Sequence, residues 1–193
     1  MGAFPFVVSV VVAASLSALL AVFSGFGAFG FSGSRSVVPS ALSAVCGLVP
    51  VGAPVFVGCA GGVDATVRRF FPSASVFSVA SVSAALPFSA RLVARSSACV
   101  RACVGASGLW VSFPSGACPV GVRPCASPFS GGGSGSWASA ALALFLGAPI
   151  LFFLSAGVSL PASFSSGRSV FVVSYSVSGS WILIRPVPVL SLF

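Results

Sequence analysis

Five short apolar runs limit what this chain can fold into more than any other feature. They span 27–31, 54–58, 75–79, 109–113 and 148–154, and none shows the apolar–polar alternation of a half-exposed strand. Unbroken runs of this length suit strands buried on both faces, as in a parallel sheet covered by helices. The stretches between them include helix-forming segments at 39–48, 65–71, 90–104 and 138–146. Ser36 or Ser40 can cap the first, Pro72 stops the second, and Gly105 closes the third. Strands alternating with helices at this spacing predict βαβ units and an α/β fold.

Four of these runs lead into turns rich in Gly, Ser or Pro. The turns are Gly33-Ser34-Arg35, Gly58 to Asp64 (with Gly61 and Gly62), Ser112-Phe113-Pro114, and Gly131-Gly132-Gly133-Ser134-Gly135-Ser136. Open α/β sheets bind ligands at the carboxyl ends of their strands. Glycines there let the backbone approach an anion, and unpaired helix N-terminal N–H groups point at it. Ser130 to Trp137 reads as such a phosphate cradle or, alternatively, as a flexible Gly/Ser linker.

Charge narrows the chemistry. The chain carries nine Arg and one acid, Asp64, for a net charge of +8, and has no His. That balance favours anionic partners such as nucleotides, nucleic acid or acidic lipid. The arginines are dispersed, so nucleic acid is not the favoured partner. Ser-His-Asp triads and paired-carboxylate hydrolysis are excluded. The six cysteines, at 46, 59, 99, 103, 118 and 125, lack CxxC spacing, so no metal site is expected. Buried free thiols in a cytoplasmic protein are the consistent reading.

The ends of the chain are less regular. Residues 5–23 are almost continuously apolar and long enough to span a bilayer. A membrane anchor, an added core helix and a misplaced start are the alternatives for this N-terminal segment, 1–27. Residues 28–154 form the α/β domain. In the C-terminal extension, 155–193, Val170 to Tyr175 and Trp181 to Ile184 fit a hairpin around Ser178-Gly179.

The ordered turns resemble the SLOG superfamily of Rossmann-like domains, which includes LOG proteins, the DNA-processing protein DprA and small nucleotide-sensor-like domains. Phe31-Ser32-Gly33-Ser34-Arg35 resembles the "TGSR" signature of the sensor-like branch, and Gly58 to Asp64 its "GGARGAD" turn. Arg95 to Val100 resembles its Arg-bearing helix, Trp110 to Pro114 its "LVLAFP" strand, Gly131 to Ser136 its "GGGT" turn, and Gly147 to Ile150 its "GIPV" step. The resemblance covers about residues 28–154. It implies a Rossmann-like, doubly wound, mostly parallel five-stranded sheet that binds a nucleotide or nucleotide-derived ligand. DprA-like single-stranded DNA binding is an alternative, and homo-oligomers are compatible. LOG-type hydrolysis is disfavoured, because the Glu that follows the glycine turn in that group is replaced here by Trp137-Ala138-Ser139-Ala140.

The expected ligand residues are Gly33, Ser34, Arg35, Gly58, Gly61, Gly62, Asp64, Pro114, Gly131, Gly132, Gly133, Ser134, Gly135 and Ser136. Arg35 would clamp phosphate. Asp64 would accept from a sugar hydroxyl or base, or serve the helix that begins beside it. Should there be turnover, Asp64 and Arg95 are the candidate catalytic residues.

Overall fold

The computed structural model describes residues 16–129, 134–176 and 178–186. Within them lie helix α1 (Leu16–Ser24), β1 (Phe29–Gly33), α2 (Ala41–Cys46), β2 (Val55–Gly58), α3 (Val63–Phe70), β3 (Ser75–Phe77), α4 (Phe88–Gly105) and β4 (Leu109–Phe113). Then follow α5 (Gly135–Phe145), β5 (Ile150–Ser155), α6 (Ala162–Ser165), β6 (Arg168–Ser176) and β7 (Gly179–Pro186). The strands make one sheet in the order β3-β2-β1-β4-β5-β7-β6. The pairings from β3 to β5 are parallel, and β7 is antiparallel to both β5 and β6.

The fold is thus α/β with a mostly parallel sheet, of seven strands rather than five. The C-terminal hairpin accounts for the difference. It lies against β5, where Ile150 pairs with Ile184 and Leu151 with Leu183, so the extension adds to the sheet instead of standing apart. Its apolar residues Trp181, Leu183 and Ile184 are buried there.

Alternate side chains of the central strands face opposite layers. Leu109, Val111 and Phe113 of β4 join Leu151 and Phe153 of β5 in a core that includes Leu19, Val22 and Phe23 of α1, Leu42 and Val45 of α2, and Val63 and Val67 of α3. Trp110 of β4 faces the other way with Ile150, Phe152 and Leu154, and packs with Cys99, Val100 and Cys103 of α4, Trp137 of α5 and Phe164 of α6. Helices therefore cover both faces, which is why the strands read as unbroken apolar runs.

Helix α1 is part of this packing, with the Phe23 ring stacked on Phe29 at 5.1 Å. Residues 1–15 of the apolar N-terminal segment lie outside the described residues. Among the described residues no helix is long and apolar enough to cross a membrane.

Strand positions differ from the sequence expectation mainly at the first run. It is paired from Phe29 to Gly33 rather than from 27 to 31, because hydrogen bonding to β4 carries on through Ser32↔Ser112 and Gly33↔Phe113. The third run is shorter than expected: β3 ends at Phe77, and a 3-10 turn follows at Val79–Ser81.

Candidate functional site

From β1 the chain proceeds through α2 to β2 and β3 on one side, then returns through α4 to β4 on the other side of β1. The connection leaving β1 goes to the layer of α2, and the one leaving β4 goes to the layer of α5. Chain leaving neighbouring strands toward opposite faces opens a crevice at their carboxyl ends. A cleft of about 390 Å³ occupies that position. It is lined by Ser32 and Gly33 at the end of β1 and Arg35 after it, Ala60 and Asp64 around the turn after β2, Arg95 and Ser96 of α4, Ser115 after β4, and Ser134, Gly135, Ser136 and Ser139 at the start of α5.

The sole acid lies in this cleft. Asp64, only 6% exposed, occupies the first turn of α3. Its Oδ2 accepts from Arg95 Nη1 at 3.4 Å and from the Ala60 N–H at 3.3 Å. Both bonds run to one oxygen. The carboxylate thus serves the preceding turn and α4 rather than capping its own helix. Burial raises the Asp64 pKa above the ordinary carboxylate range, against the pull of Arg95, the Ala60 N–H and Arg68.

Arg95 is 8% exposed, and its Nε has no hydrogen-bond partner. Its spacing explains the burial. Residues 95, 99 and 103 share one face of α4, and the two cysteines pack in the Trp110 layer, so the guanidinium is drawn beneath the cleft. A buried donor without a partner costs free energy. Arg95 nonetheless keeps one buried N–H without a partner, while the residue itself lines the cleft with its charge beside Asp64. Arg35, by contrast, is exposed at the rim.

Helix α5 begins in the cleft without a side-chain cap and without an acidic residue in its first turn. Ser134 Oγ bonds Ser136 Oγ at 2.6 Å instead of a helix amide. Among the described residues no side chain caps the first amides of the helix, which opens on the cleft. A buried chain of hydrogen bonds ties this turn to the sheet: Trp110 Nε1 donates to Ser32 Oγ, Ser32 Oγ to Ser112 Oγ, and Ser112 Oγ to the Ser136 carbonyl.

Two glycines have steric reasons. Gly62 adopts φ 58°, and a β-carbon there would strike the Ser34 carbonyl and the Arg35 backbone. It lets the turns after β1 and β2 touch, sealed by Val63 N–H donating to Ser34 O at 2.9 Å. A β-carbon at Gly58 would collide with Arg95 Nη1 and Asp64 Oδ2.

Of the expected residues, Gly33, Arg35, Asp64, Arg95, Ser134, Gly135 and Ser136 line the cleft. Gly58 lies beneath it, bordering a small void with Asp64 and Arg95. Gly61 and Gly62 shape the turn without lining it. Ser34 is turned inward, its Oγ accepting from the Ser36 and Val37 N–H groups at 3.3 and 3.0 Å. Pro114 is buried, and the next residue, Ser115, lines the cleft instead. Gly131, Gly132 and Gly133 lie outside the described residues. Trp137 is fully buried, its Nε1 donating to Gly116 O at 2.9 Å, and so serves packing rather than ligand stacking. Arg68 is not simply a surface charge, because its Nη1 donates to the Gly58 carbonyl. The sequence reasoning missed Ser32, Ser96, Ser115 and Ser139. Ser96 adjoins Arg95, and Ser139 lies one helical turn beyond Ser136, but serine is too common here to single them out.

No family model, curated protein or solved structure matches this chain.

Proposed function

We infer that the cleft binds a nucleotide or nucleotide-derived ligand by its phosphate. The observation that carries this reading is the convergence of uncapped α5 amides, Arg35 and the partly satisfied Arg95 on one crevice at the carboxyl ends of β1 and β4. Amides at a helix N-terminus and a guanidinium are complementary to phosphate oxygens. Asp64 would repel phosphate placed beside it, so the reading leaves the carboxylate to Arg95 and the Ala60 N–H and sets the phosphate against the start of α5 and Arg35. The sheet order and the helices on both faces support a Rossmann-like, doubly wound domain of the SLOG type, to which the turns at Gly33, Gly58 and Gly131 are similar. Binding, rather than hydrolysis, is the activity inferred, because Asp64 is the only carboxylate side chain and is held by Arg95.

The test is a titration of the full chain with AMP, followed by tryptophan fluorescence, since Trp110 and Trp137 adjoin the Ser32–Ser136 network. Arg35→Ala, at an exposed position, is expected to weaken AMP by about ten- to a hundredfold, the worth of a charge-assisted hydrogen bond. A folded protein that binds no nucleotide, or an Arg35→Ala variant that binds as the wild type does, would overturn the reading.

A further inference from the structure

A second cavity of about 180 Å³ adjoins the first and shares Arg35, Ser96 and Gly135 with it. Its other walls are Leu92 and Val93 of α4, Val122, Pro128 and Phe129 of the segment after β4, and Ala138 of α5, with Ser89 at the edge. The cleft thus has a polar half and an apolar half that share three walls. A ligand with its phosphate on the α5 amides can reach past those shared walls into the apolar half.

What the apolar half lacks matters as much as what it holds. Base edges are ordinarily read by amide and carboxylate side chains, or by Lys and Arg. The whole chain contains no Asn, Gln, Glu, His or Lys, and Asp64 lies in the other half. Among the described residues the apolar half offers a ring burial against aliphatic side chains and Phe129, and its polar groups are two serine hydroxyls and Arg35, which the phosphate reading engages. Charge limits the polar half similarly. Arg35 and Arg95 against Asp64 leave one net positive charge among the lining residues, which falls short of the roughly −1.5 to −2 of one phosphate monoester and much further short of a triphosphate.

We propose that the cleft takes the monophosphate ester of a flat apolar ring and holds the ring by burial, without reading which ring it is. This rests on the phosphate reading above. It widens the ligand class from one nucleotide to aryl and nucleoside monophosphates at large.

Calorimetric titration of the full chain with inorganic phosphate, phenyl phosphate, AMP, UMP and ATP tests it. The three ring monophosphates are expected within about fivefold of one another and each about tenfold or more tighter than inorganic phosphate, with ATP no tighter than AMP. Leu92→Ser, at a half-buried position lining only the apolar half, should weaken the three esters about fivefold and leave inorganic phosphate unchanged. Three results would overturn the proposal while leaving the phosphate site standing. They are AMP favoured more than about tenfold over both UMP and phenyl phosphate, ring esters no tighter than inorganic phosphate, and ATP tighter than AMP by about tenfold. Absence of binding by all five ligands would remove both readings together.

Discussion

Acid titration of stability isolates a single side chain in this protein. Asp64 is the only Asp or Glu and there is no His, so between about pH 3 and 7 only Asp64 and the chain-end carboxylate change charge. Burial is the dominant influence on Asp64 and raises its pKa. The folded chain therefore keeps the Asp64 proton to a higher pH than the unfolded chain does. Where the native state binds more protons, stability falls as pH rises. The slope is about 1.4 kcal/mol per pH unit between the unfolded and folded pKa values, and the curve is flat beyond them. Urea midpoints measured from pH 4 upward should decline and then level off. The total drop, divided by about 1.4 kcal/mol, measures how far the fold displaces the Asp64 pKa.

Two variants separate burial from ion pairing. A raised pKa already includes the loss of Arg95's attraction on protonation, so a neutral isostere should be tolerated. Asp64→Asn is expected to abolish the slope and to match or exceed wild-type stability at neutral pH, within about 1 kcal/mol. Arg95→Met leaves a buried carboxylate with only Arg68 nearby and should cost about 3–5 kcal/mol at neutral pH, with partial recovery in acid. Wild-type stability that climbs with pH over this range would refute the reasoning, as would equal losses in the two variants. Either would mean that the Arg95 contact at 3.4 Å outweighs desolvation.

Other perturbations reach the same region from different sides. Gly62→Ala must adopt φ 58° and push against Ser34 and Arg35, and should cost at least about 1–3 kcal/mol in thermal or urea unfolding while weakening phosphate binding. Ser112→Ala removes the acceptor of the Ser32 hydroxyl and the donor to the Ser136 carbonyl, for an expected loss of about 1–3 kcal/mol and faster hydrogen exchange at Gly135 to Trp137. Burial pushes the Cys46 and Cys103 thiols up to about 12 and raises Cys99 as well, so these three should resist a disulfide reagent at pH 8 until urea is added. The half-buried Cys59, Cys118 and Cys125 should react ahead of them.

Much of the sheet was legible because its strands are buried on both faces. Leu109–Phe113 matches the expected run residue for residue, and Val55–Gly58 is one residue shorter. The end of β1 was hidden by Ser32, a polar residue that reads as turn but is held in the sheet by Trp110 Nε1 and Ser112. The cleft was legible where it depends on backbone, as at Gly33 and Gly135. It was not legible where it depends on tertiary burial. The resemblance marked Arg95 out from Arg91 and Arg101, but its burial was hidden, because that follows from the Trp110 layer packed around Cys99 and Cys103.

Some departures from local rules lie where the polar cleft forms, while others, the orphaned Arg91 Nε and the positive φ of Ser107, lie elsewhere. The donor orphaned at Arg95 Nε and the carboxylate desolvated at Asp64 each lower stability in isolation. A buried ion pair is by itself weak evidence of stabilisation, and the raised Asp64 pKa says that the pull of Arg95 on the carboxylate is smaller than the cost of burying it. Sequences whose local choices otherwise agree with their fold break those rules at functional sites. Both residues line the cleft, and Gly62 holds two of its loops together. An anion bound at the start of α5 would draw on the cation at Arg95 without leaving the cleft, and the stability it adds should follow its concentration over its dissociation constant. That gain should shrink in Arg95→Met, where the cleft loses a cation.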